Sequence, residues 1–445
     1  MLFRPRPDTP PANRTKRGTT MDGLMTRDVQ PEGFPPSLST RERDRRWKNV
    51  RDLMRSRNLD GLIVGGFRGR EHFESYLTDD YVEGVVIFPL DGDPTVLTWT
   101  GSRVSRAQES YSRGVAAWVS DYRVGLQGPT AARLVQEKGL ARSRMGVVGL
   151  ESSGPGETCG VIPYTFWKAF IQEIPDATFI DISQPFAKLM LVKSDEELAL
   201  VRYAGAIAEK ACHTMLEVVR PGVGEELIYA EVMREIFRHG ADARYPTLNL
   251  HSGPHNISWG PPRWISRVEP PRRVQKGDLV QAEIFPCCGN QEIQVQMSIA
   301  LDPVDEAIRR CEIVARQSYE TGLKVIRPGI TFADIVHAME EPLREAGCWA
   351  KTPLIHSLSP CGWTGQTSVN MEQLEGRKEG RVEDKTSLRK AVRGGDLVIE
   401  RGMVFALEPN ACIESVRANI GGTVIVSEMD CEQLNSLSTH VQHVS

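Results

Sequence analysis

The chain has 445 residues, and 54 Lys and Arg against 58 Asp and Glu give it a formal net charge of −4 at pH 7. This length accommodates two or three domains with ample core, and the mildly acidic balance argues against a nucleic acid partner. No apolar run is long enough to span a bilayer, and the nine cysteines lack the spacing of a disulfide framework. We therefore expect a cytoplasmic protein with reduced thiols and no membrane partner.

Residues 1–39 are predicted to be a flexible arm. The segment is basic and Pro-rich without the apolar region of a signal peptide, and Met21 is a second candidate for the start of the chain. Helix and strand patterns then alternate through "GLIVGG", "GVVIFPL", "GPTAARLVQEKGL", "RMGVVGLE", "YTFWKAFIQEIP" and "ATFIDIS". This alternation predicts an α/β domain over residues 40–187.

Residues 188–445 are predicted to form a second domain that begins with a long helix. Ser194 is a good N-cap for this helix, and Glu197 three residues later completes a capping box. Further along, "VVRPGV" recurs as "VIRPGI", and each copy lies between a long helix and an acidic amphipathic helix. An internal repeat of this kind predicts two pseudo-symmetric halves.

Each copy of the repeat also carries one histidine and one glutamate on strand-like segments. His251 lies in "TLNLHSGP" and His356 in "PLIHSLSP", whereas Glu283 ends "GDLVQAE" and Glu408 ends "GMVFALE". Packing the two copies together would bring these four side chains towards one central cleft. The fold class is therefore predicted to be α+β, although duplicated halves by themselves indicate no function.

These segments resemble the "pita-bread" family of methionine aminopeptidases, aminopeptidase P, prolidase and creatinase. The resemblance runs from about residue 194 to 428 and rests on "LVKSDEELALVRYAGAIAEKA", the two "RPG" turns, "KGDLVQAE", "ERGMVFALEPN" and "GGTVIVSE". It implies a C-terminal pita-bread domain of two helix-strand repeats, preceded by a smaller creatinase-type α/β domain. It also implies a homodimer that acts on a small-molecule substrate.

The resemblance further implies where metal ligands would lie. Metal-binding members hold two ions with two aspartates, one histidine and two glutamates, and these positions fall on Glu283, Gln294, His356, Glu408 and Gly421. Gln294 and Gly421 cannot bridge two ions, so we reject a dinuclear peptidase site. A single divalent ion on Glu283, His356 and Glu408, with Glu292 as a fourth ligand, stays open as an alternative.

The chain more closely resembles the metal-free members of the family, such as creatinase and ectoine hydrolase. This resemblance implies cofactor-free hydrolysis of a C–N bond in a small polar molecule. Such chemistry needs a base, an acid and donors for a developing oxyanion. Glu283 and Glu408 are the candidate acid and base, because burial and like charge raise the pKa of one of two facing carboxyls. His356 is a candidate proton shuttle. The candidate groups for holding a substrate lie in the segment that follows Glu283, and they are Gln291, Glu292, Gln294 and Gln296.

Other candidate substrate contacts lie outside these strands. Creatinase uses a histidine in the loop before the "GD" turn, and the aligned place near residues 260–263 has none, so His251 or His255 is expected to substitute. Arg68, together with Arg70 and Tyr76 nearby, is a candidate anchor for a substrate carboxylate. Trp363 is a candidate wall of an apolar or cation-binding pocket, as are Trp259 and Trp264. The charged stretch 371–396 is predicted to be a solvated excursion, with a flap or dimer arm as alternatives.

Several interpretations stay open from the sequence alone. Glu283 can be a structural residue paired with an arginine, His356 a core histidine, and the glutamines hydrogen-bonded strand residues. Two other functions compete with the hydrolase. One is a lyase, or an enzyme that cleaves C–C or C–S bonds, with one metal ion. The other is a non-catalytic pseudo-peptidase that binds a protein or peptide.

Overall fold

The computed structural model describes residues 35–67, 70–115, 117–255, 257–351, 353–365 and 392–445, with only the backbone of Tyr245. Residues 1–34 of the predicted arm, the candidate anchor Arg68 and residues 371–391 of the charged stretch lie outside the described residues. Among the described helices, none is long and apolar enough to cross a membrane.

The first domain is built on a mixed sheet that has six strands within the described residues. These strands are β1 (Gly61–Gly66), β2 (Gly84–Pro89), β3 (Thr95–Thr98), β4 (Asp121–Val124), β5 (Arg144–Val148) and β6 (Thr178–Asp181). Their order across the sheet is β4-β3-β2-β1-β5-β6, and β1 pairs in parallel with β5 and antiparallel with β2. Every residue of β1 and β2 is buried, as expected for central strands covered on both faces.

Helices cover this sheet and lead into the second domain. They are α1 (Thr40–Ser56), α2 (Phe73–Thr78), α3 (Gly101–Ser112), α4 (Gly128–Glu137), α5 (Tyr164–Gln172) and α6 (Ser183–Leu191). Ser39 caps the first of these helices, since its side chain accepts a hydrogen bond from the backbone N–H of Glu42. The domain boundary predicted after residue 187 falls within α6.

Two pairs of long helices form the helical part of the second domain. The first pair is α7 (Asp195–Val218) and α8 (Glu225–Arg238); after the one-turn α9 (Arg263–Ser266), the second is α10 (Glu306–Val325) and α11 (Phe332–Glu345). The predicted capping box of Ser194 and Glu197 is present at the start of α7. Gly222 and Gly329 of the two "RPG" turns both have φ 90°, a left-handed conformation that favours glycine. The two copies therefore share the same turn geometry.

Two sheets complete the second domain, one for each copy of the repeat. The strands are β7 (Asp242–Gly253), β8 (Leu279–Cys288), β9 (Gln291–Glu292), β10 (Val295–Leu301), β11 (Ile355–Ser357), β12 (Thr364–Gly365), β13 (Val404–Leu407), β14 (Asn410–Ile413), β15 (Val416–Asn419), β16 (Gly422–Val426), β17 (Cys431–Gln433) and β18 (Val441–Val444). The strand orders within the described residues are β18-β10-β8-β7, with β9 beside β8, and β12-β11-β13-β16-β17. A separate hairpin pairs β14 with β15.

The position of Glu283 differs from the predicted strand end. It lies in the middle of β8, because β7 and β9 both pair with the later part of that strand up to Cys288. Glu408 does follow the last residue of β13, as predicted. Both glutamates are buried, so their charges depend on partners inside the protein.

A buried ion network joins the first domain to the second. Arg46 of α1 donates through Nε to Glu42 at 2.8 Å and through Nη2 to Glu197 of α7 at 2.9 Å. All three side chains are buried. This network fixes the start of α7, and with it the second domain, against the first.

Candidate active site

A cavity of about 390 Å³ lies where the two copies of the repeat meet the first domain. Its lining includes Arg70, Glu157, Trp259, Glu283, Phe285, Gln294, Lys351, His356, Cys361 and Glu408. A larger cavity of about 670 Å³ lies elsewhere, and its described lining includes neither of the two glutamates nor His356. The smaller cavity is therefore the candidate active site.

Glu283 is held on one wall of the cavity by three N–H donors. Asn249, directly opposite on β7, donates through Nδ2 to Oε2 at 2.7 Å, and the indole Nε1 of Trp259 donates to the same oxygen at 2.8 Å. Nδ2 of Asn419 lies 3.2 Å from Oε1. Three donors at these distances fix the orientation of the carboxyl group.

Glu408 is held by two glutamines that come from β10 and the residue before it, next to the strand that carries Glu283. Its Oε2 accepts hydrogen bonds from Nε2 of Gln294 at 2.8 Å and from Nε2 of Gln296 at 2.9 Å. Gln294 is itself fixed, because its backbone N–H donates to the Thr423 hydroxyl at 2.9 Å and its carbonyl accepts from that hydroxyl at 2.9 Å. The sequence predicts these glutamines as donors to a substrate, whereas in the structure their amide groups orient Glu408.

His356 contacts Glu408 through a hydrogen-bond pattern that requires a shared proton. Its Nε2 lies 2.9 Å from Oε1 of Gln294 and 3.3 Å from Oε1 of Glu408, while its Nδ1 lies 2.9 Å from the Ser357 carbonyl. The Gln294 oxygen accepts only from an Nε2–H group, so Nε2 carries the proton that lies between His356 and Glu408. The Cys361 thiol is also 3.2 Å from Nδ1. His356 and Glu408 are therefore joined by one proton.

The electrostatics of the site favour a proton on this pair near neutral pH. Burial raises the pKa of Glu408 to about 8, His356 opposes that rise, and the charge of Glu283 adds to it. Glu408 can therefore act as an acid at neutral pH.

The side chains present do not fit a pair of bridged metal ions. Among the described residues, no group of three or more His, Cys, Asp or Glu is arranged to hold an ion. Gln294 directs an amide N–H at Glu408, where a bridging ligand would need an oxygen. Gly421 has φ 143°, and a Cβ there would lie 1.9 Å from the Leu407 carbonyl oxygen. The backbone itself therefore excludes a carboxylate side chain at that position.

Glu292 is paired with Arg70 of the first domain. Arg70 lines the cavity, and its guanidinium contacts both carboxylate oxygens of Glu292, with 3.3 Å from Nε to Oε2. The Glu292 backbone N–H donates to the Ser359 hydroxyl at 2.9 Å. Arg70 therefore reaches the site as the sequence suggests, but with its charge balanced by Glu292.

Two other predicted substrate contacts lie away from the cavity lining. The amide of Gln291 lies 3.5 Å from Glu197 in the buried ion network. Tyr76 packs edge-on against Phe186 and under the guanidinium of Arg46. Both side chains therefore belong to the junction of the two domains.

The remaining predicted residues also have other partners. Nε2 of His251 lies 2.8 Å from the Gly260 carbonyl, and burial lowers the pKa of His251 to about 4. His251 and His356 occupy equivalent places in the two copies, but Asn249 takes the position beside Glu283 and His251 turns to the loop. His255 is exposed, with Nδ1 3.4 Å from the Ser415 hydroxyl. Trp363 is a buried core residue.

Sequence reasoning missed several side chains that surround Glu283. Asn249 precedes His251 by two residues, and the period of a strand, which puts both on one face, was a signal that could have identified it. Asn419, Lys351 and Arg417 have no local signal, because their segments are distant from Glu283 along the chain.

Basic side chains hold the loop that carries Trp259. Lys351 donates through Nζ to the Ile257 carbonyl at 2.5 Å, and Arg417 donates through Nη2 to the Ser258 carbonyl at 3.0 Å. With the bond from His251 to Gly260, successive carbonyls of this loop are tied to the body of the domain. The loop is thereby fixed as a wall of the cavity, with Trp259 against Glu283.

Comparison with known proteins is consistent with this geometry. Residues 199–428 match the model of metallopeptidase family M24, and residues 46–192 match the creatinase/prolidase N-terminal domain. The chain belongs to metallopeptidase family M24. The predicted pita-bread domain, preceded by a creatinase-type domain, is thereby confirmed, and so is the α+β fold class.

Named relatives of this M24 protein include a creatinase from a Bacillus species, 20% identical over 93% of this chain and 95% of that protein. They also include an ectoine hydrolase from Halomonas elongata, 23% identical over 88% of this chain and 94% of that protein. The solved structure of an X-Pro aminopeptidase from Thermotoga maritima covers 89% of this chain and 99% of its own, with a TM-score of 0.68 and 16% identity. That likeness shows the fold, and the named relatives indicate an enzyme of the hydrolase kind.

Proposed function

We propose that this M24 protein is a metal-independent hydrolase that cleaves a C–N bond of the amide, amidine or urea type in a small polar molecule. The observation that carries the proposal is the pairing of His356 with Glu408 in the same cavity as a Glu283 fixed by hydrogen bonds. The cavity thus combines a proton donor with a second carboxyl group, as acid–base hydrolysis requires.

The proton shared by His356 and Glu408 goes to the leaving nitrogen. Burial keeps this proton on the pair at neutral pH, and Gln294 and Gln296 hold the Glu408 carboxyl in place. Glu283, with one acceptor position left on Oε1, holds the attacking water or a substrate N–H group. Ordinary acid–base effects of this kind accelerate a reaction by about 10²–10⁴-fold each.

The size and charge of the cavity support a small polar substrate. A volume of about 390 Å³ is within the range for small-molecule pockets. Arg70, which is paired with Glu292, adds a positive group to a lining that already contains three glutamates. We further propose a homodimer in the cytoplasm, on the resemblance to metal-free members of the family.

The test is release of amine or ammonia from a panel of amides, cyclic amidines and ureas in H₂¹⁸O. A hydrolase incorporates one ¹⁸O into the acid or carbonyl product, whereas a lyase incorporates none. Glu408→Gln and Glu283→Gln should each lose at least about 100-fold in kcat. Glu225→Gln is the matched control, because Glu225 is a buried carboxylate that accepts from Ser252 at 2.7 Å outside the cavity. Full activity in both active-site variants would contradict the proposal.

A further inference from the structure

The candidate site leaves open which group takes a proton from the attacking water. Three N–H donors already bind the two oxygens of Glu283, so the one position left on Oε1 can hold the water but is not free for its proton as well. Glu408 shares its proton with His356 and serves as the donor. Another cavity-lining group with an available lone pair is needed for the base.

Lys351 has the geometry of such a group. It is half-buried and lines the same cavity as Glu283 and Glu408. Its Nζ donates to the Ile257 carbonyl at 2.5 Å, and within the part of the chain that the structure describes no carboxylate lies in ion-pair distance of it. A neutral amine keeps this bond with one N–H and still has a lone pair to offer. The bond to Ile257 therefore anchors the amine without removing its basicity.

We propose that Lys351, in its neutral form, is the general base that deprotonates the attacking water, a role that rests on the proposed hydrolase function. Lys351 precedes His356 by five residues in the second copy of the repeat. One short segment thus carries a group for each of the two proton transfers.

The charges around Lys351 favour loss of its proton. Arg417 is permanently cationic and lies nearby, while Glu283 opposes its effect and the Cys412 thiol adds a smaller opposing influence. Burial is the largest factor, and together these groups lower the pKa of Lys351 to about 8. A lysine beside a second cation in a desolvated cavity is a recognised way to obtain a neutral amine at physiological pH.

The proposed step balances in atoms and protons. Nζ of Lys351 accepts a proton from water while the water oxygen forms a bond to the substrate carbon. The tetrahedral intermediate collapses as the C–N bond breaks, and the nitrogen takes the proton shared by His356 and Glu408. The acid and the amine leave, and solvent carries the extra proton from Lys351 back to the His356–Glu408 pair. The net reaction consumes one water and needs no other reactant.

Competitive acetylation tests the titration of Lys351 without knowledge of the substrate. The full-length protein is treated with acetic anhydride over about pH 6–11, and acetylation of the Lys351 peptide is followed by mass spectrometry. We expect half-maximal reactivity near the lowered pKa of about 8. A midpoint at the ordinary lysine value of about 10.4, or no labelling of Lys351, would overturn the inference.

Kinetics then separate a base from a structural cation. Lys351→Arg preserves an N–H donor for Ile257 but stays cationic and cannot accept a proton, so kcat should fall at least about 100-fold with KM little changed. The limb of the wild-type pH–rate profile that reports Lys351 should disappear in this variant. Lys138→Arg is the matched control, because Lys138 donates to the Asp93 carbonyl at 3.0 Å far from the cavity lining. Thermal unfolding of each variant checks the fold.

The outcomes distinguish this inference from the proposed function. An active wild type with an equally active Lys351→Arg variant overturns the role of Lys351 alone and assigns the base to Glu283. A wild type that releases no amine from any amide, amidine or urea defeats the proposed function, and the role of Lys351 as a base with it. A lowered midpoint together with an inactive Lys351→Arg variant of normal stability supports both.

Discussion

Nε2 of His356 lies 3.3 Å from Oε1 of Glu408, and both side chains are buried. The two residues come from neighbouring antiparallel strands of one sheet, where His356 is paired with Ala406, two residues before Glu408. Because the other ring nitrogen lies against the Ser357 carbonyl, the contact requires a proton between the two side chains. This pair is the proton donor on which the proposed chemistry depends.

The stability of the protein should fall as the pH rises towards 8. The pKa of Glu408 is raised from an ordinary 4.5 to about 8, so between these values the native state holds a proton that the unfolded state has lost. The free energy of unfolding therefore decreases as the pH rises through this window and levels off above it. In Glu408→Gln, urea unfolding at about pH 5 and pH 8.5 should show a decrease smaller by on the order of 3 kcal/mol. An identical pH dependence in both proteins would mean that Glu408 ionises normally.

Removal of one donor from Glu283 should reduce both stability and activity. Asn249→Leu removes the 2.7 Å bond and leaves part of a buried carboxylate unpaired, which destabilises a protein by about 1–3 kcal/mol. We also expect kcat to fall at least about tenfold, because the carboxylate loses its fixed orientation. Asn435→Leu is the control, since the buried Asn435 donates to the Gly205 carbonyl at 3.0 Å outside the cavity. It should lose stability and keep kcat; equal kinetic losses in both variants would contradict a specific role for Asn249.

Metal analysis should find less than about a tenth of an equivalent of any transition metal in the purified protein, because N–H donors occupy the oxygens that ions would need. Plasma mass spectrometry before and after chelator treatment measures this, together with amine release. Near one equivalent of zinc, iron or manganese, lost in Glu283→Gln, would instead place one ion on Glu283, His356 and Glu408 and favour the lyase.

The ion network between the domains should be far more sensitive to mutation than a surface ion pair. Arg46→Met leaves Glu42 and Glu197 with the more exposed Arg45 as their remaining cation. Loss of a buried partner destabilises by up to about 3–5 kcal/mol. Lys48→Met is the matched control on the same helix, because Lys48 and Asp52 are 73% and 47% exposed. It should change the free energy of unfolding by less than about 0.5 kcal/mol in chemical denaturation. Similar losses in both variants would show that the network contributes nothing special.

Local signals were sufficient to predict much of the fold. The capping box of Ser194 and Glu197 identified the start of α7, and the repeated "RPG" turns identified the two copies. The helix and strand patterns of the first domain are present where they were predicted. Each of these features depends on residues close together in the chain, where period and turn chemistry are informative.

The sequence by itself determined that Gln294 and Gly421 stand where family members carry bridging carboxylates, and that two glutamates and His356 remain. Only the tertiary structure decided what those residues contact. Each contact of the site joins segments that are distant along the chain. Glu408 pairs with His356, Glu283 has three donors, Arg70 pairs with Glu292, and Lys351 lines the same cavity. Equivalent strand positions in the two copies can place a histidine beside a carboxylate, as at His356, or against a loop carbonyl, as at His251. Side-chain partners in a buried site are chosen by packing and by the need to satisfy every polar group, and neither is encoded in a local pattern.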